Sequence, residues 1–172
     1  MTTVLITYAT KAGSTFGVAE KIADTLRSEG LSVTLRQIND VIDPSQFDAV
    51  IIGSAIRGGK WLPAASNFVE KHVSRLVDRP VVYFTVCLTL HEDTPANREE
   101  VYAYTDPVRQ VLTPQAEGLF AGVMDYKVLS LPIRLLVRSM KAPEGDYRDW
   151  DSIEAWAQRL VPVLTRKPEG IL

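Results

Sequence analysis

The stretch ITYATKAGSTFGVAEKIADTL, residues 6–26, joins a short apolar strand to a helix through a turn rich in hydroxyl groups. Residues 4–9 are predicted to form a buried strand because they are apolar and include β-branched side chains. Residues 15–28 are predicted to be helical because apolar side chains recur there at helical spacing. The turn between these two elements is the feature on which the interpretation of the chain depends.

Strands and helices alternate along the rest of the chain. Further strands are predicted at 31–37, 47–56, 79–88 and 118–126, and helices at 62–77, at 97–112 and after Asp151. Pro107 is expected to kink or split the helix at 97–112, and Asp151 with Glu154 resembles a capping box. Several strands are apolar on both faces, which is typical of a parallel sheet covered by helices. The pattern predicts an α/β protein, a three-layer sandwich with a five-stranded parallel sheet in a single domain, 1–172.

The turn after the first strand has the residues of an anion site. Three hydroxyl side chains and Gly13 lead directly into a helix N-terminus, where unpaired backbone N–H groups carry partial positive charge. Such a turn favours a phosphate group. The alternative interpretation is that Ser14 or Thr15 only caps the helix.

Other nucleotide and phosphate motifs fit the chain poorly. A dinucleotide fingerprint needs three glycines after the first strand, and only Gly13 is there. The nearest match to a P-loop, residues 53–61, has one residue too many before Lys60 and has Trp61 where a magnesium-binding hydroxyl belongs. A phosphorelay receiver would need acidic residues at the strand ends, which here read Ala9-Thr10 and Gly53-Ser54.

The remaining T-x-x-G-x-T pattern resembles the flavodoxin superfamily over nearly the whole chain. The motifs TKAGST (10–15), GSAIRGGKWLPAASNFVEKH (53–72) and YFTVCL (83–88) are most similar to the flavodoxin-like, menaquinone-dependent protoporphyrinogen dehydrogenases. The resemblance implies the flavodoxin-like strand order 2-1-3-4-5. It also implies that FMN is the cofactor, held by three loops at the carboxyl ends of strands.

By this resemblance, each of the three loops contributes cofactor-binding residues. They are Thr10, Lys11, Ala12, Gly13, Ser14 and Thr15 in the first loop; Ser54, Ala55, Ile56, Arg57, Gly58, Gly59, Lys60 and Trp61 in the second; and Thr85, Val86, Cys87, Leu88 and Thr89 in the third. No residue is a strong candidate for a catalytic acid or base, and no metal is expected.

Within the second loop, glycines let the backbone approach the flavin ring. Arg57 or Lys60 would stabilise negative charge on that ring, and Trp61 would either stack on it or pack at the start of the next helix. The third loop has Leu88 and Leu90 where dedicated flavodoxins often place an aromatic residue. One face of the ring is therefore expected to be open to substrate.

Composition restricts the partners and the compartment. The 172 residues carry a net charge of −2, so no overall positive field attracts nucleic acid. The single cysteine, Cys87, excludes a disulfide within the chain, and His72 and His91 are too far apart in sequence to suggest a metal motif. Residues 1–10 do not resemble a signal peptide, and no apolar run is long enough to span a membrane. A cytoplasmic protein is expected, either free or peripheral on the inner face of the membrane.

One segment argues for a surface contact. KVLSLPIRLLVRSMK, residues 127–141, contains only basic charges among apolar side chains. Arg134, Arg138 and Lys141 fall on one face of a predicted helix, which is typical of an interfacial helix on anionic lipid. The alternatives are an amphipathic helix packed on the sheet and a homodimer contact.

The resemblance implies an FMN-dependent oxidoreductase that passes electrons from a porphyrinogen-like substrate to a quinone. Three other functions stay open from the residues. One is a flavodoxin, an FMN electron carrier that serves a redox partner protein, another is an FMN-dependent quinone reductase, and the third is a flavin-binding module that turns over no substrate. A parallel-sheet fold by itself does not choose among them.

Overall fold

The structure is a computed structural model that describes residues 1–41, 43–139, 141 and 143–166. Its strands are β1 (Thr3–Ala9), β2 (Ser32–Gln37), β3 (Ala49–Arg57), β4 (Lys60–Trp61), β5 (Val81–Val86), β6 (Ala116–Phe120), β7 (Val123–Met124) and β8 (Gly145–Asp146). Five of them form a parallel sheet in the order β2-β1-β3-β5-β6. The predicted strand order is confirmed, because β4 only folds back on β3 as a hairpin.

Helices cover both faces of this sheet. They are α1 (Ser14–Ser28), α2 (Pro63–Leu76), α3 (Pro95–Ala103), α4 (Asp106–Val111), α5 (Leu131–Ser139) and α6 (Trp150–Leu164). Alternate residues of β1 face opposite layers: Ile6 packs in the core under α1 and α6, and Leu5 packs in the core under α2. The predicted three-layer α/β/α architecture is therefore present, with two apolar cores separated by the sheet.

Three local predictions need correction or refinement. The helix predicted at 97–112 is divided into α3 and α4, with Pro107 in the first turn of α4, where its missing N–H costs nothing. The capping box at Asp151 is wrong: the carboxylate of Asp149 accepts the Ser152 N–H at 3.0 Å, so α6 begins at Trp150. The strand predicted at 118–126 ends early, since β7 leaves the sheet to pair with β8.

The pairing of β7 with β8 closes a long excursion of the chain between β6 and α6. We call residues 121–149 the β6–α6 segment. It contains β7, a 3-10 turn at Tyr126–Val128, α5 and β8. The antiparallel β7–β8 pair holds the two ends of the segment side by side, so both ends return to the same edge of the sheet.

Candidate flavin site

The three predicted loops start at one level of the sheet. In the parallel register, Ala9 of β1 lies opposite Ser54 of β3, and Ser54 lies opposite Thr85 of β5. Ligands of open α/β sheets bind beyond the carboxyl ends of such strands, where the strand order reverses. The chain therefore brings the three loops together at one edge of the sheet.

The first loop is built to receive an anion rather than to cap its own helix. Gly13 has a left-handed backbone (φ 88°), and its N–H donates to Thr10 Oγ1 at 3.0 Å. Within residues 1–41, 43–139, 141 and 143–166, no side chain caps the N-terminus of α1. The interpretation that Ser14 or Thr15 caps the helix is therefore wrong. Thr15 is fully buried, and its Oγ1 has no hydrogen-bond partner among the described residues. A phosphate at this N-terminus would satisfy both the free N–H groups and this hydroxyl.

Lys11 and Ser14 lie on different sides of the first loop. Lys11 is exposed and lines a cavity of about 360 Å³ with Thr10, Leu62 and Pro63. Ser14 Oγ lies on the side of the β6–α6 segment, 3.5 Å from the position that a Cβ of Gly122 would take. The first loop thus lies between the start of α2 and the beginning of the β6–α6 segment.

The second loop is a tight hairpin. β4 pairs with the end of β3 through Ile56–Trp61 and Arg57–Lys60, which leaves Gly58 and Gly59 as a two-residue turn. Their φ angles of 59° and 70° fit a type I′ turn, which glycine adopts without steric cost. The exposed side chains of Arg57 and Lys60 face each other across this hairpin.

Two predicted ligands of the second loop support the loop from within. The Ser54 hydroxyl is buried, accepts the Leu62 N–H at 3.0 Å and donates to the Ala55 carbonyl at 2.8 Å. The Trp61 ring is also buried, packs edge-on against Tyr83 and donates to Thr85 Oγ1 at 2.8 Å. Stacking of Trp61 on a flavin ring is therefore wrong, since its indole is committed to the core beneath the hairpin.

The third loop is held by hydrogen bonds to β6 and α3. Thr85, Val86 and Cys87 are buried, and the Cys87 N–H donates to the Phe120 carbonyl at 2.9 Å. A 3-10 turn at Leu88–His91 follows, and the Asn97 amide donates to the Thr89 carbonyl at 3.2 Å. Leu88 and Thr89 stay partly exposed, so this loop offers backbone groups and an aliphatic side chain to a ligand.

Neighbouring aromatic residues brace the second and third loops. A Cβ on Gly59 would lie 3.3 Å from the Tyr104 ring, so Tyr104 packs against the hairpin turn. A hydrogen bond to Glu100 raises the pKa of Tyr104 to about 12. His91 packs edge-on against Tyr147, with ring centroids 5.5 Å apart, and so ties the third loop to the β6–α6 segment.

Sequence reasoning missed one cation beside the first turn of α1, Arg148. The Nε and Nη2 atoms of Arg148 donate to the Asp146 carboxylate at 2.9 and 2.6 Å. This pairing lowers the pKa of Asp146. The Nη1 atom of Arg148 lies against the first turn of α1, 2.5 Å from the position that a Cβ on Gly17 would take. A glycine inside the helix is the only sequence signal of this close approach.

Comparison with known proteins shows the family. The model of the flavodoxin domain matches residues 5–151, and the chain belongs to this family. Two relatives named protoporphyrinogen IX dehydrogenase [quinone] are each 26% identical to this chain. The alignment with the protein of Escherichia coli K12 covers 95% of this chain and 97% of the relative. For the protein of Leishmania major these shares are 98% and 83%. A solved flavodoxin of Streptococcus pneumoniae TIGR4 superposes with a TM-score of 0.61 at 18% identity, over 93% of this chain and 98% of its own.

Family membership and the geometry of the first loop support FMN as the cofactor of an oxidoreductase-type flavoprotein. The residues present fit a phosphate: a left-handed glycine, free helix N–H groups and a buried hydroxyl that has no partner in the described part of the chain. None of the helices in the described residues is both long and apolar enough to cross a bilayer.

Proposed function

We propose that this protein is an FMN-dependent protoporphyrinogen IX dehydrogenase that passes electrons from its substrate to a quinone. The observation that carries the proposal is the alignment of two proteins of that name along 95% and 98% of the chain. The alignment includes most of the β6–α6 segment as well as the three loops. The proposal also takes the chain as one functional domain.

The chain's own residues would bind and orient the cofactor. The first loop would hold the phosphate through N–H groups and the hydroxyls of Thr10, Ser14 and Thr15. The Gly58-Gly59 turn and the third loop would present backbone groups to the flavin ring. When bound, the flavin supplies the redox chemistry.

Two features of the loops favour turnover of a substrate. Arg57 and Lys60 place two positive charges at the hairpin tip, where they would stabilise negative charge on the ring or meet carboxylates of a porphyrinogen. The third loop contributes Leu88 and the buried Leu90 in place of a stacking aromatic residue. One face of the flavin ring is left for substrate by this loop.

The function is tested anaerobically on protein reconstituted with FMN. Protoporphyrinogen IX is added first and a menaquinone analogue second, while the flavin absorbance is followed. We expect bleaching by the first and recovery with the second, both much faster than with free FMN at the same concentration. A flavin that is not reduced by the porphyrinogen but is reduced by a nicotinamide donor would indicate a quinone reductase. Reduction only through a redox partner protein would indicate an electron carrier.

We also propose that α5 is the site of peripheral contact with an anionic membrane, where a lipid-soluble quinone would be met. None of the side chains of α5 is buried. The α5 surface consists of Val128, Leu131, Ile133, Leu135 and Leu136, and Leu131 alone is 66% exposed. Such an apolar patch is unusual on a monomeric soluble protein. The charges of residues 126–139 are all basic, and this sign complements anionic lipid.

Sedimentation with vesicles tests the membrane contact. We expect the protein to bind vesicles containing phosphatidylglycerol, and the double variant Leu131→Ser/Leu135→Ser to bind at least ~10-fold more weakly, because each buried leucine contributes about 1.5 kcal/mol or more. Val77→Ser is the matched control, since Val77 is 60% exposed at the end of α2. Equal affinity for neutral vesicles, or a dimer that the double variant dissociates, would contradict the proposal and favour a homodimer surface.

A further inference from the structure

We propose that Arg148 is a phosphate-binding residue of the flavin site, a cation that the end of the β6–α6 segment delivers to the first turns of α1. This inference rests on FMN being the cofactor, and it assigns a residue outside the three loops to that site. The inference also gives the β6–α6 segment a role in cofactor affinity, although this segment is distant from the first loop in sequence.

The guanidinium group of Arg148 is held at one edge and open at the other. Nε and Nη2 are engaged by Asp146, while in the described part of the chain no acceptor pairs with Nη1. The Trp150 ring lies 4.6 Å from the guanidinium carbon and fixes its plane. Arginine is the side chain best suited to bind phosphate, because its edges act as separate pairs of donors.

The open edge of Arg148 lies on the face of α1 that carries the phosphate-loop hydroxyl of Ser14. Gly17 is three residues after Ser14, so the two positions share one helix face. Arg148 Nη1 approaches Gly17 so closely that a Cβ there would lie 2.5 Å from it. The backbone also brings the segment here, because the Tyr147 N–H donates to the Gly122 carbonyl at 3.1 Å and a Cβ on Gly122 would contact Ser14 Oγ.

An independent feature of the first turn of α1 points to a ligand at the helix N-terminus. Thr15, next to Ser14 in the first turn, is fully buried with a hydroxyl that has no partner among the described residues. An unpaired buried hydroxyl is costly, and a bound phosphate oxygen would satisfy it. The helix N-terminus, the Thr15 hydroxyl and the open edge of Arg148 then act on one anion.

The close approach of Arg148 also explains why a glycine stands at position 17 inside α1. Glycine in a helix costs about 1 kcal/mol relative to alanine. Its replacement by alanine would displace only the end of a flexible side chain, Arg148, and leaves ordinary contact with Trp150 at 3.5 Å. Gly17→Ala is therefore a variant that moves the cation without damaging the fold.

The test compares the affinities of the apoprotein for FMN and for riboflavin, which lacks the phosphate, by quenching of flavin fluorescence. We expect Arg148→Gln to weaken FMN binding about 10-fold and leave riboflavin binding unchanged, and Arg148→Lys to restore part of the loss. Gly17→Ala should weaken FMN binding while the melting temperature holds or rises. In the Arg148→Gln background it should have no further effect on FMN. Arg159→Gln, an exposed cation of α6, is the control.

The outcomes separate this inference from the assignment of the cofactor. If the wild type binds FMN far better than riboflavin and Arg148→Gln changes neither, the phosphate site stands and the role of Arg148 is overturned. Equal losses for both flavins, with a lower melting temperature, would assign Arg148 a purely structural role. A wild type that binds neither flavin would remove the FMN site itself.

Discussion

Replacing Thr15 by valine is expected to stabilise the protein without its cofactor and to weaken FMN binding by about 10- to 100-fold. The Thr15 hydroxyl is fully buried and unpaired among the described residues, so its removal relieves a cost of about 1 kcal/mol in the apoprotein. The same hydroxyl would donate to a phosphate oxygen, and a hydrogen bond to a charged group contributes about 1.5–3 kcal/mol. The opposite signs of the two effects make the variant informative.

Two measurements decide this prediction. Thermal unfolding of the apoprotein reports the change in stability, and flavin fluorescence reports the dissociation constants of FMN and riboflavin. Riboflavin affinity should stay within about twofold of the wild type, since the change touches only the phosphate. An unchanged FMN affinity would mean that the hydroxyl faces the helix interior and that the phosphate is held by other groups. Thr25→Val, at a buried threonine whose hydroxyl bonds the Lys21 carbonyl within α1, is the control.

Replacing Gly53 by alanine is expected to destabilise the protein by about 3 kcal/mol or more, which lowers its melting temperature by roughly 10 °C. Gly53 lies in β3 directly opposite Phe84 of β5. The Phe84 ring lies over the glycine so closely that a Cβ would be 1.9 Å from its Cζ. Phe84 is fully buried in the core under α1 and α6, so neither the ring nor the strand can move away cheaply.

The cause of this loss is tested by a second substitution at the contact. Phe84→Leu removes the ring atoms that the new methyl group would strike. The double variant Gly53→Ala/Phe84→Leu should therefore lose less stability than the sum of the two single changes. Gly17→Ala is the matched control, because the atom in its way is the movable end of Arg148. Additive losses would show that the backbone of β3, and not the ring, carries the cost.

The order of strands and helices and the three loops were predictable from the residues alone. The periodicity of strands and helices depends on residues that are close in sequence. Parallel strands place the loops that follow them at one edge of the sheet. The phosphate turn could be found for the same reason, since its hydroxyls, Gly13 and the helix that follows are continuous in the chain. The assignment of individual flavin contacts in these loops stays a prediction.

Local patterns did not predict which side chains of a loop turn inward. Trp61 fits a stacking residue by its position, yet the hairpin folds it over Tyr83 and Thr85 in the core. Ser54 fits a ligand by type, yet its hydroxyl spans the base of that hairpin. The competing partners of these side chains lie on other strands, so the choice between ligand and core is settled only when the sheet assembles.

The same reason explains Arg148 and α5. The sequence between residues 127 and 141 shows a basic amphipathic helix, but its exposure depends on where β7 and β8 fix the ends of the β6–α6 segment. In the sequence, Arg148 is indistinguishable from an ordinary loop cation, and only the β7–β8 pairing brings it to Gly17. Periodicity and turn chemistry act between near neighbours in the chain and so determine the elements and the phosphate turn. Contacts between residues distant in the chain exist only in the packed fold, and they decide which groups surround that turn.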